Sequence, residues 1–269
     1  MISKYSHNSL IWIDLESPKE EEIFYLMEEY SIPTPIEEEI RTKSKESKTK
    51  LYSGLVFISL NFPQILNKNN KILDNKIIFI VNNNFVITIH DEPIEALSEF
   101  LNNLEMDTTL PEELRINNNG LLFFYLIKSL YVNLKEQLII NKVEIKELEN
   151  TIIGGKNKNA SKLIYNKNQS LIKAGQCLNS HEIVFEVLPK LLIQIFSDKF
   201  EYYSSLIVDE YSLVKQMIEQ QEKNFINLYN INNLILTDKN NKKIKILTRL
   251  SIITLIITII TFLYVFSNI

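Results

Sequence analysis

KKIKILTRLSIITLIITIITFLYVFSNI, residues 242–269, decides the architecture of this chain. From Leu250 onward twenty residues carry no charge, and thirteen of them are Leu, Ile, Val or Phe. As a helix they would extend about 30 Å, the thickness of a bilayer's hydrocarbon core. At roughly −0.3 to −0.6 kcal/mol per apolar residue near the centre, insertion gains about 4 to 8 kcal/mol. Ser and Thr hydroxyls bond back to the helix's own carbonyls, so they detract little. A helix buried in a soluble core is rarely apolar on every side, so a single C-terminal transmembrane helix is expected. Lys239, Lys242, Lys243, Lys245 and Arg249 all precede it. The positive-inside tendency places that flank, and the domain before it, on the cytoplasmic side of the cell's inner membrane. No other segment reaches eighteen apolar residues.

The rest of the composition narrows the field. Net charge is −4, which argues against a partner bound through nucleic-acid phosphates. Cys177 is the only cysteine, so neither an internal disulfide nor a cysteine zinc cage can form. The opening MISKYSHNSL has no apolar run of signal-peptide length. No Ser/His/Asp order, P-loop or glycine-rich cradle occurs, and no enzyme activity is expected.

The first hundred residues read as α/β. LIWIDL (10–15), LVFISLNF (55–62), KIIFIV (76–81) and FVITIH (85–90) are rich in β-branched and aromatic residues. Asn82-Asn83-Asn84 predicts a hairpin through the tolerance of Asn for positive φ. Ser17-Pro18-Lys19-Glu20 has the form of a capping box, and Thr34-Pro35-Ile36-Glu37 repeats it. A further helix is expected in EPIEALSEFLNNL, with Asp91 or Glu92 at its positive end. From 121 onward the period lengthens: Phe124, Ile127, Tyr131, Leu134, Leu138, Ile145, Leu148 and Ile152 follow heptad spacing until Gly154-Gly155. Another helix is expected over about 160–187, until Pro189 disturbs it. Phe200, Ile207, Tyr211, Val214, Ile218, Phe225, Leu228 and Ile235 keep a 3/4 spacing that Gln221 and Asn232 interrupt. With no Gly or Pro from Lys190 onward, one helix can run from about Phe200 to Ile269, on the order of 100 Å. Identical copies around an axis would support so long a helix.

The expected fold is α+β in three parts: an α/β domain with a small mixed sheet (1–115), a stalk of coiled-coil-like helices (116–245) and a transmembrane helix (246–269).

Five stretches in collinear order resemble the CorA family of magnesium channels: WIDLESPKEEEI, PIEEEIRTKSKESKTKLYSGLVFISL, FVITIHDEP, LLFFYLIKSLYVNLKEQLIINKVEIKELE and NKKIKILTRLS. The last is similar to the family's Asn-x-x-Met-Lys-x-Leu-Thr approach to its first span. The resemblance implies transport of Mg²⁺ (with Co²⁺, Ni²⁺ or Zn²⁺ on the same scaffold) by a homopentamer in the lipid bilayer. It implies pore-facing roles for Asn241, Ile244, Leu247, Ser251, Leu255 and Thr258. The family's Gly-Met-Asn signature falls on Val265-Phe266-Ser267, flanked by Tyr264, which matches, and Asn268, one position late. No second span is expected, which gives an alternative: a non-conducting, membrane-anchored regulatory module. Of the family's cytoplasmic metal ligands, Glu38 and Glu39 keep an acidic pair. A partner acid aligns with Leu206, which leaves Asp209 nearby, and other family acids align with Lys128 and Val132. Read from the residues alone, Glu37–Glu39 are a solvated first helical turn. His90-Asp91-Glu92 is a helix start rather than a metal triplet, because three consecutive side chains diverge.

Overall fold

The computed structural model describes residues 2–7, 9–42, 46–65, 72–106, 118–154 and 159–267. Six strands form one sheet: β1 (Ile2–His7), β2 (Leu10–Glu16), β3 (Lys48–Tyr52), β4 (Leu55–Ile65), β5 (Ile72–Val81) and β6 (Val86–His90). Their order is β1-β2-β6-β5-β4-β3, with β2 and β6 parallel and every other pair antiparallel. Alternation gives the sheet two apolar faces. Ile13, Leu15, Phe57, Ile78, Ile80, Ile87 and Ile89 pack with Ile23, Leu26 and Met27 of α1 (Glu20–Glu29) and Ile36 of α2 (Thr34–Arg41). On the other face Trp12 meets Phe100 of α3 (Glu95–Met106). Phe62 and Phe79 there meet Tyr131 and Phe123 of α4 (Asn119–Ile153). Because helices cover both faces, Ile77–Val81 is apolar and buried at every position. The edge strands β1 and β3 escape the sequence reading because they alternate polar residues; Lys48 and Lys50 on β3 discourage pairing with a second sheet.

Several local expectations are corrected. Ser17 is not the cap of α1: it adopts φ 46° and donates its N–H to His90 O at 2.7 Å. The helix starts three residues later, with Lys19 as N-cap and its N–H donated to Glu22 Oε2 at 2.8 Å. In α2, Pro33 rather than Thr34 is the N-cap, and no side chain caps it. The Asn82–Asn84 turn needs no positive φ: Asn82 Oδ1 accepts the N–H groups of Asn84 (2.8 Å) and Phe85 (2.9 Å), an Asx turn. In α3 the backbone carbonyl of Ile94 takes the first bonds, from Leu97 and Ser98, and Glu95 is the first-turn acid in place of Asp91 or Glu92. The 160–187 helix breaks at Ser180 instead of Pro189, giving α5 (Ala160–Asn179) and α6 (His181–Phe196), which runs through Pro189. Gly155 and Asn268 lie outside the described residues.

A 3₁₀ turn at Asp198–Phe200 leads into α7 (Glu201–Ser267), the 67-residue helix that the absence of Gly and Pro foretold. The chain divides into two compact units, Met1–Glu144 with Asn166–Glu222, and Ile145–Tyr165 with Lys223–Ile269. In the first, the heptad residues of α4 from Phe124 to Leu138 are buried, as are Ile207, Tyr211, Val214 and Ile218 of α7. Gln221 completes that seam: it accepts from Asn141 Nδ2 and donates to Leu138 O, both at 2.7 Å. In the second unit Ile145, Leu148, Ile152, Phe225 and Leu228 are buried, and Asn232 donates to Ser161 Oγ at 2.7 Å. The two residues that interrupt the apolar period are thus satisfied polar bridges, which fix helix register.

Candidate functional site

Among the described residues one helix, α7, is long and apolar enough to cross a membrane, and its apolar window is wholly unburied. Its backbone is self-satisfied by helix formation, and its hydroxyls follow. Thr248 donates to Ile244 O, Thr254 to Leu250 O and Ser251 O, Thr258 to Thr254 O and Thr261 to Ile257 O, all at 2.8–3.2 Å. Each hydroxyl keeps lone pairs to offer outward. Asn241, Ile244, Leu247, Ser251, Leu255 and Thr258 are spaced 3, 3, 4, 4 and 3 residues apart and are all exposed. At about 100° per residue they share an arc of about 120°. The side facing away from that arc between Ile252 and Leu263 is Ile and Leu alone: Ile252, Ile253, Ile256, Ile257, Ile260 and Leu263. One helix therefore presents a mixed amide, hydroxyl and apolar stripe against a lipid-like back.

Glu38, Glu39 and Asp209 do not come together as a metal-binding cluster among the described residues. Glu38 on α2 is exposed. Glu39 is bound by Lys48, and by Lys50 at 3.1 Å. Burial pushes its carboxyl up, but the hydrogen bonds and charges of Lys48 and Lys50 outweigh that and hold it below the usual carboxylate range. Asp209 is exposed on α7, at a surface pocket of about 150 Å³ that it lines with Lys128, Leu206, Glu210 and Leu213. Lys128 Nζ lies 5.5 Å over the Phe124 ring. No three His, Cys, Asp or Glu side chains among the described residues could hold a metal ion.

Two buried histidine networks went unread in the sequence, since neither has a spacing signal. His90, 3% exposed, directs Nδ1 to Glu92 O at 2.7 Å and Nε2 to Asp14 Oδ1 at 3.1 Å. The Asp14 carboxylate also accepts from Thr88, whose hydroxyl accepts from Trp12 Nε1 at 2.9 Å. Both ring nitrogens thus face acceptors, which calls for a proton on each. Burial pushes the imidazole's pKa down, yet the hydrogen bond and charge of Asp14 outweigh it and the net shift is upward. His181 is the converse. Its Nε2 donates to Asn61 O at 2.7 Å, so Nδ1 accepts from Tyr131 Oη at 2.8 Å, a fully satisfied neutral ring. Burial lowers its pKa to about 4.

The CorA-like Mg2+ transporter protein family matches residues 7–264 of the chain. No curated protein is similar enough to match. Among solved structures, the complete CorA magnesium transporter from Methanocaldococcus jannaschii has a TM-score of 0.74 at 18% identity, over 91% of this chain and 75% of that one. The soluble domain of CorA from the same organism gives 0.71 at 17%, over 83% of this chain and 88% of that one. The ZntB cytoplasmic domain from Vibrio parahaemolyticus RIMD 2210633 gives 0.65 at 12%, over 85% and 88%. At these identities the structural likeness is one of fold.

Proposed function

Because the chain belongs to the CorA-like Mg2+ transporter family, matched over residues 7–264, we propose that it carries divalent cations across a membrane. Magnesium is the first candidate substrate, and Co²⁺, Ni²⁺ and Zn²⁺ are the alternatives on the same scaffold. The observation that carries this reading is the single face of α7 that holds Asn241, Ile244, Leu247, Ser251, Leu255 and Thr258. Mg²⁺ gives up its water reluctantly, so a ring of Asn241 amides and a deeper ring of Thr258 oxygens would hold the hydrated ion. Rings of Ile244 and Leu247 would form an apolar constriction that blocks ions when dry. Such rings need several copies of α7, and a homopentamer in the inner membrane is the assembly we propose, with residues 1–115 and the 116–245 stalk in the cytoplasm. Two charges moved through 100 mV are worth roughly 4.6 kcal/mol, so inward transport needs no other energy source. A regulatory ion at Glu38, Glu39 and Asp209 would need ligands from a second copy and would have to draw Glu39 away from Lys48 and Lys50. Expression in cells stripped of their own magnesium transporters tests the function: growth on low magnesium is expected, and its absence overturns the reading.

One observation favours a second reading, a non-conducting module anchored at the membrane. The aligned signature positions hold Val265, Phe266 and Ser267 in place of Gly-Met-Asn. Light scattering of the detergent-solubilised chain separates the two, because a monomer supports the anchor and an oligomer the pore.

A further inference from the structure

Five cations crowd eleven residues of α7 immediately before its apolar run: Lys239, Lys242, Lys243, Lys245 and Arg249. All five are exposed. Asp238 pairs with Lys242 at 2.7 Å, and among the described residues no acid pairs with the other four. At about 100° per residue they occupy an arc of about 160°. Its centre lies opposite the arc that holds Asn241, Ile244, Leu247 and Ser251. The positive charge is therefore all on the back of the helix, where it does not confront a cation passing along the front. Counted back from Leu250, Arg249 and Lys245 lie about 2 and 8 Å away, within the headgroup layer, and Lys243, Lys242 and Lys239 about 10 to 16 Å away, on the aqueous side of it. Lys and Arg there can lay their alkyl stems along the apolar surface and hold their charges at the interface. Arg249, adjacent to Leu250, has the planar fork that matches a phosphate's paired oxygens.

We propose that Lys239, Lys243, Lys245 and Arg249 form a binding site for the phosphate headgroup of an anionic phospholipid, on the face of α7 opposite the conduction stripe. The site depends on residues 250–265 lying in a bilayer, and not on conduction. Charge complementarity selects this occupant: four unpaired cations at the membrane surface attract anionic lipid by about fivefold in affinity for each charge.

The test uses the full chain reconstituted in phosphatidylcholine vesicles that contain phosphatidylglycerol, then extracted in mild detergent, with retained lipid counted by native mass spectrometry. Phosphatidylglycerol is expected to be retained in preference to phosphatidylcholine, to be lost with rising salt, and to resist displacement by millimolar inorganic phosphate. In Lys245→Gln/Arg249→Gln, where three lysines remain to set topology, its affinity is expected to fall about 25-fold. Equal retention of the two lipids, unchanged retention in the double variant, or displacement by inorganic phosphate would overturn the proposal. If the double variant fails to insert, lipid preference and salt response of the unaltered chain decide. Mg²⁺ uptake by the same vesicles is scored separately. Selective phosphatidylglycerol retention without uptake removes the transport reading and leaves this site standing.

Discussion

Lowering the pH from 7 to 5 should weaken the first compact unit through His181. Its imidazole is fully buried and carries a proton only on Nε2, and protonating Nδ1 would break the bond from Tyr131 Oη. In the unfolded chain the ring takes up that proton near pH 6.5; in the folded chain it resists until about 4. The folded pKa is depressed, so this contribution is present above 6.5 and is lost as pH falls towards 4. Each tenfold difference in proton affinity is worth about 1.4 kcal/mol. The loss therefore reaches about 2 kcal/mol by pH 5 and about 3 kcal/mol by pH 4. His181→Gln lacks the titration, so the stability difference between the two proteins should narrow by about 2 kcal/mol over that range. Contributions from His90 and the carboxylates are common to both and cancel. Urea unfolding followed by fluorescence measures it, with Trp12, the sole tryptophan and 1% exposed, as reporter of this unit. A difference that stays constant within about 0.5 kcal/mol from pH 7 to 5 would refute the neutral, buried ring.

Other perturbations follow the same contacts. Gln221→Leu leaves Asn141 Nδ2 without its acceptor and removes a second donor from Leu138 O inside the α4–α7 seam, and should destabilise by about 1–3 kcal/mol in the same urea assay. Adding Asn141→Leu should recover part of that loss. Asp14→Asn removes the group that raises the His90 pKa, so an NMR titration should show His90 releasing its proton at lower pH. In the native chain the His90 contribution to stability is present below 6.5 and lost as pH rises through its elevated folded value. Glu39→Gln removes the charge partner of Lys48 and Lys50. Since the folded Glu39 pKa is lowered, the native chain's advantage over this variant should be present above pH 4.5 and fade as pH falls through the folded value.

The sheet's central strands were legible because they are buried on both faces and spell β-branched and aromatic runs. The edges β1 and β3 were not, since a strand such as KTKLY carries its signal in a neighbour's hydrogen bonds. The long helices showed through heptad spacing and through the absence of Gly and Pro. The α5–α6 break did not, because Ser180 and the buried His181 look ordinary in sequence, whereas Pro189 is an obvious breaker that α6 absorbs. The residues proposed for the stripe on α7 came from the resemblance alone, since spacing by itself does not mark them out in the apolar run. Glu39's capture by Lys48 and Lys50 could not be read, because strand pairing sets which lysines reach it.

Mg²⁺ flux into vesicles tests the central claim most directly. The full chain is reconstituted in liposomes loaded with a magnesium-sensitive dye, and an inside-negative potential is imposed. Uptake that grows with the potential is expected. Leu247→Asn, on the stripe, should raise it by wetting the constriction, and Ile253→Asn, on the back, should not. Flux no greater than that of protein-free vesicles at every potential, from protein shown to be inserted, would contradict the account.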